Sequence, residues 1–233
     1  MNLKKRNIER FIRELKESPQ RDDVFNPWWE KDEAHDRTQQ APAIRRRHLR
    51  HYLLERLESA KFLLLAEAVG YQGAHFSGVP MTSERILLGA LKEKNISPEM
   101  VATGVEFQRT SQETLRPNGF TEPTATIVWG EIVNSGLDPR EIILWNAYPW
   151  HPFKPAKGRL SNRTPGALEA LTGKTATQLL LKMTNIEKVI AAGAKAESLL
   201  LEMGLECKRV RHPANGGATR FREEFRREIK RKD

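Results

Sequence analysis

Short apolar runs alternate with helical patterns along this chain, and that alternation constrains the fold more than any other feature. Lys61-Phe62-Leu63-Leu64-Leu65-Ala66-Glu67 is a continuous apolar run consistent with a strand buried on both faces of a parallel sheet. Glu141 to Ala147 and Glu187 to Ala192 repeat the pattern, and Glu206 to Arg211 gives a more polar strand suited to a sheet edge. Helical patterns fill the intervals over Thr82 to Lys94, Pro123 to Asn134, Gly166 to Met183 and Lys195 to Met203, and Ala218 to Lys230 closes the chain. Strands alternating with helices predict a three-layer α/β/α sandwich on a mainly parallel four-stranded sheet.

Ahead of this pattern, Leu3, Ile8, Phe11, Ile12 and Leu15 fall on one face of a 3.6-residue period, so the chain opens with an amphipathic helix ending at Ser18-Pro19. Arg21 to Ala43 has no sustained period and reads as an irregular connection anchored by Trp28 and Trp29. Ile44 to Leu57 reads as a helix whose Arg45, Arg46, Arg47 and Arg50 form a solvated basic face. His48 and His51 have no carboxylate or cysteine set beside them, so they are assigned to a solvated helix face and not to a metal site. Residues 1–43 are therefore expected as an extension packed on a domain of residues 44–233.

Composition narrows the function classes. Lys and Arg number 39 against 30 Asp and Glu, a net charge of +9, which favours a polyanionic partner. At 233 residues with 39% hydrophobic and 30% charged, the chain is large enough for a real core, too apolar for disorder and too polar for a membrane protein. Its longest apolar run, Phe62 to Ala66, is too short to span a bilayer, and its first residues interleave charge with apolar side chains, unlike a signal peptide. Cys207 is the one cysteine, which excludes an internal disulfide, a Cys-rich zinc site and a four-cysteine iron–sulfur cluster and fits a cytoplasmic compartment.

Open parallel sheets bind ligands beyond the carboxyl ends of their strands. The first strand exits into a glycine-rich loop running from Ala66-Glu67-Ala68-Val69-Gly70 through Tyr71-Gln72-Gly73-Ala74-His75-Phe76-Ser77 to Gly78-Val79-Pro80-Met81. The central strand exits at Trp145-Asn146-Ala147-Tyr148, and the last at His212-Pro213-Ala214-Asn215-Gly216-Gly217, directly before a helix. A carboxylate, an amide and an imidazole thus converge on one edge. Each has a plainer reading: Glu67 capping a turn, Asn146 satisfying buried backbone, His212 as an ordinary loop histidine, Phe76 as core.

In order, spacing and strand context, these three loops resemble those of the uracil-DNA glycosylase superfamily. Ala66-Glu67-Ala68-Val69-Gly70 with Gly78-Val79-Pro80-Met81 is similar to the family's Gly-Glu-Ala-Pro-Gly stretch ending in Gly-x-Pro-Phe, Asn146 to its strand-end asparagine and His212-Pro213 to its histidine-proline motif. The resemblance implies hydrolysis of the bond between a damaged base and deoxyribose. It places Glu67 at the water, His212 at the leaving group and Asn146 at the base edge. Phe76, Met81, Tyr71 and Gln72 would line the base pocket, while Asn215, Gly216, Gly217 and Arg220 would hold the DNA backbone. Val69 and Met81 depart from the family's proline and phenylalanine, a second proline is missing after His212-Pro213, and the chain before Lys61 carries no resemblance. The expectation is a monomeric, monofunctional DNA glycosylase of base excision repair, acting without metal or cofactor on uracil or another deaminated base. A catalytically inactive damaged-DNA or base-binding protein on the same fold is the alternative.

Overall fold

The computed structural model describes residues 3–230. Helix α1 (Leu3–Glu14) leads into a two-residue strand β1 (Val24–Phe25), helix α2 (Ala41–Leu54) and strand β2 (Phe62–Ala68). Short helices α3 (Ala74–Ser77) and α4 (Glu84–Leu87) and the longer α5 (Pro123–Asn134) precede strand β3 (Ile142–Tyr148) and the short β4 (His151–Pro152). The chain continues through α6 (Ala167–Leu171), α7 (Lys174–Lys182), β5 (Lys188–Ala192), α8 (Ala194–Glu202), β6 (Lys208–Val210) and α9 (Ala218–Ile229).

The main sheet has the order β3-β2-β5-β6 and is parallel throughout, with helices packed on it as an α/β/α sandwich. Strand β3, expected to be central, lies at one edge of the sheet, yet every one of its residues is buried, whereas β6 at the other edge exposes Lys208 and Arg209 and buries only Val210. From β2 the chain moves first to the β3 side and then back across to β5 on the other side. The carboxyl end of β2 is therefore a topological switch point, where flanking loops diverge and leave a crevice.

The segment before the sheet is fastened to it. In α1, Ile8, Phe11 and Ile12 turn inward while Leu3 stays 68% exposed, and the Phe11 ring lies 5.1 Å from that of Trp145 on β3. Trp28 stacks on Trp145 at 6.0 Å and donates its Nε1–H to the Gly78 carbonyl at 3.0 Å. Strand β1 pairs antiparallel with β4, setting Phe25 opposite His151. Trp129, Trp145 and Trp150 are core residues, as their apolar settings predicted.

Several sequence expectations are corrected. The basic face of α2 is not solvated: Arg45 is fully buried, with its guanidinium bridging both Asp36 oxygens at 2.7 and 3.0 Å and donating to the carbonyls of Pro27 and Glu30. Arg46 lies over the Trp29 ring, and Arg50 pairs with Glu9. His48 is equally buried, its Nδ1–H donating to Ser77 O at 2.9 Å and its Nε2 accepting from the Gln108 amide at 3.2 Å. The helix expected from Thr82 to Lys94 is reduced to α4 and a 3-10 turn at Lys92–Lys94, because the Glu84 carboxylate is buried against the amides of Thr110 and Ser111 and the backbone reverses at Gly89. The helix expected from Gly166 to Met183 breaks into α6 and α7 at Gly173, where a Cβ would stand 2.1 Å from the Ala147 carbonyl oxygen.

Candidate active site

Parallel pairing of β2 with β3 sets Ala66 opposite Asn146, so Glu67 and Asn146 leave the sheet side by side. His212 reaches the same place from the turn after β6. There, Asn215 (φ 54°) and Gly216 (φ 74°) are both left-handed, and Gly217 packs so closely that a Cβ would lie 2.0 Å from the His212 carbonyl oxygen. The three side chains line one cavity of about 330 Å³, together with Met81, Glu122, Asn162, Arg163 and Thr164.

The polar groups are differently poised. Asn146 is only 3% exposed, yet its carboxamide makes no hydrogen bond among the described residues, leaving a donor and an acceptor for whatever enters. That disfavours the plainer reading in which it satisfies buried backbone. Glu67 has the Lys195 ammonium 3.7 Å away, and Lys195 donates to Thr164 Oγ1 at 2.8 Å, tying α8 to the loop before α6. His212 Nδ1 accepts from the Ala214 amide at 3.1 Å. Burial, then the charge of Arg211, lowers its pKa, so the neutral ring carries its proton on Nε2 and keeps a donor in hand.

The expected base-pocket residues separate. Met81 lines the cavity, held there by a left-handed backbone (φ 46°) that costs a non-glycine residue about 1–3 kcal/mol. Phe76 does not: it is fully buried, stacked on Phe120 at 4.4 Å, so it is core and not a platform for a base. Tyr71 meets the edge of Phe120 at 6.3 Å, and neither Tyr71 nor Gln72 lines the cavity. Of the expected backbone contacts, Asn215 lines the adjoining hollow with Glu67, Lys195 and His212. Arg220 lies further along, against Arg209 and Arg211, its Nε donating to Glu224 at 2.6 Å.

Sequence reasoning missed Glu122, Asn162, Arg163 and Thr164. Asn162 Oδ1 accepts from the Tyr71 amide at 3.0 Å and so fixes the glycine-rich loop, and Arg163 is clamped bidentate on Glu169 at 2.8 Å. The polar run Ser161-Asn162-Arg163-Thr164 after β3 and β4 was the available signal; nothing local marks Glu122. Behind the site, His75 Nε2 meets Asp32 Oδ2 at 3.0 Å, its Nδ1 lies 2.9 Å from His151 Nδ1, and His151 Nε2 faces Ser161 O at 2.9 Å. This buried row connects the segment before α2 to the residue next to Asn162.

No family model and no curated protein matches the chain. Among solved structures it is similar to the crystal structure of wild-type SMUG2 from Pedobacter heparinus, with a TM-score of 0.60 and 15% identity over 96% of each chain. That likeness is one of fold, and it covers nearly the whole length: the chain shares the α/β/α architecture of that structure. No described helix is long and apolar enough to cross a membrane.

Proposed function

We propose that this protein is a monofunctional DNA glycosylase that hydrolyses the N-glycosidic bond of uracil or another deaminated base. The observation that carries the reading is the convergence of Glu67, Asn146 and His212 on one cavity at the switch point of the sheet. The base is turned out of its stack into this cavity, where the unpartnered Asn146 amide reads a lactam edge with one donor and one acceptor. As the C1′–N bond breaks, the sugar gains oxocarbenium character and the base gains electrons. Glu67 orients a water whose oxygen bonds to C1′ and takes up its proton, while the Nε2–H of His212 stabilises the negative charge growing on a base oxygen.

Residues 44–233 carry this site, and residues 1–43 support it through Trp28 and the Asp32 carboxylate. The +9 charge and the arginines near the start of α9 suit a DNA partner, and the working form under this proposal is a cytoplasmic monomer. The test is a panel of labelled oligonucleotides carrying uracil, hypoxanthine or xanthine, single- and double-stranded, with chelator present and strands cleaved by alkali afterwards. Scission at any one of these bases supports the reading. Salt-sensitive binding with no scission points instead to an inactive binding protein on this fold, and neither binding nor scission overturns both.

A further inference from the structure

The same cavity holds a carboxyl group for which the mechanism above has no use. Glu122 stands at the N-terminal end of α5, and its side chain forms part of the wall shared with Met81 and Asn146. Oε2 is sealed from solvent and has no hydrogen-bond partner. It rests on the backbone of Gly73, where a Cβ would stand 2.4 Å from that oxygen, so the glycine-rich loop accommodates this carboxyl only by lacking a side chain. A carboxylate oxygen sealed from water without a partner disfavours the charged form. The charged and titratable groups that share the cavity wall are Glu67, Arg163 and His212, with Lys195 beside Glu67, and none of them pairs with Glu122: Lys195 lies by Glu67, the Arg163 terminal nitrogens are on Glu169 and His212 Nδ1 takes the Ala214 amide. Burial alone pushes the Glu122 carboxyl up to about 7.

We propose that Glu122 is a specificity residue that stays protonated and donates a hydrogen bond to a keto oxygen or ring nitrogen of the extruded base. This deepens the glycosylase reading and rests on it. A neutral carboxyl donates to such an acceptor, whereas an ionised one repels it and attracts an exocyclic amino group. Held neutral beside Asn146, Glu122 favours bases whose amino group has been replaced by oxygen over their amino-bearing parents. It moves no proton in the reaction, so its effect is on which base is held and at what pH.

The experiment compares wild type, Glu122→Gln and Glu122→Ala on single-stranded oligonucleotides with one uracil or one hypoxanthine, from pH 5.5 to 9, alongside thermal melts of each protein. Wild-type kcat/KM is expected to fall about tenfold per pH unit above the Glu122 pKa. Glu122→Gln, which keeps a donor that cannot ionise, retains the activity seen at pH 6 within about threefold and loses that fall. Glu122→Ala, which keeps neither a donor nor a group to ionise, lies about tenfold below the wild-type activity at pH 6 and also loses that fall. Independently of activity, Glu122→Gln raises Tm at pH 8, where the native carboxyl is forced towards ionisation, and leaves it unchanged at pH 5. A wild type that cleaves, with Glu122→Gln sharing its pH profile and its Tm at both pH values, overturns this inference and leaves the glycosylase reading standing. A wild type that releases no base overturns the glycosylase reading, and the donor role falls with it even where the Tm shift is found.

Discussion

On the proposed reading three side chains do different work at one cavity, and each answers to a different substitution. His212 is fixed as the Nε2–H tautomer by the Ala214 amide, so its contribution belongs to the charge that grows on the departing base. His212→Ala is therefore expected to lower kcat by about 10²–10³ while KM stays within a few-fold, measured by steady-state kinetics on the best substrate of the panel. On the same reading Asn146 acts on recognition. Asn146→Asp replaces a donor–acceptor pair with an acceptor-only carboxylate, and uracil cleavage should fall by about 10² or more, while the ratio of cytosine to uracil cleavage rises. An unchanged ratio would remove Asn146 from base reading. The meeting of Glu67, Asn146 and His212 at one cavity was legible because each lies at the carboxyl end of a strand. Phe76 was misread because aromatic character does not say which side of a loop a ring faces, and here the partner, Phe120, is far away in sequence.

At the scale of elements, the strands and their parallel sheet followed from apolar runs, since a strand buried on both faces has little choice of composition, but their order, with β3 at an edge, did not. The charged face of α2 did not follow, because the groups that make it a buried face come from elsewhere: Asp36 for Arg45, and Ser77 with Gln108 for His48. Charge on a helix says nothing about a carboxylate that another segment will bring to it. Two measurements test this arrangement. Asp36→Asn leaves the Arg45 guanidinium buried without its counter-ion and should cost about 3–5 kcal/mol in denaturant unfolding at pH 7. His48 is pushed down from 6.5 to about 4, chiefly by burial. A histidine whose folded pKa lies below its unfolded one takes up a proton on unfolding, so its contribution is complete above pH 6.5 and is lost as pH falls towards 4. That loss amounts to about 3 kcal/mol. His48→Asn, which retains one donor and one acceptor, should flatten the decline in stability between pH 7 and 5, and an unaltered decline would place the titration at other groups.

Over the whole molecule, residues from the segment 3–43 pack on β3 and β4. They supply Trp28 against Trp145, the β1 strand to β4, and the buried Asp36. A chain beginning at residue 44 should consequently lose the sharp unfolding transition of the full chain, and retention of that transition would make the segment dispensable. The net charge of +9 acts at the same scale. A protein neutralising about four phosphates of a single strand loses roughly 50-fold in affinity between 50 and 200 mM salt, and a fall of that order is expected by fluorescence anisotropy. The account as a whole rests on chemistry at the switch point, and one measurement reaches it directly: the single-turnover release of free base from a uracil-containing oligonucleotide by wild type and by Glu67→Gln, with damaged-strand affinity determined for both. The account predicts release by wild type, a rate about 10²–10⁴ lower for Glu67→Gln, and equal affinities. Equal rates in the two proteins, or no release by wild type from any deaminated base, would contradict it.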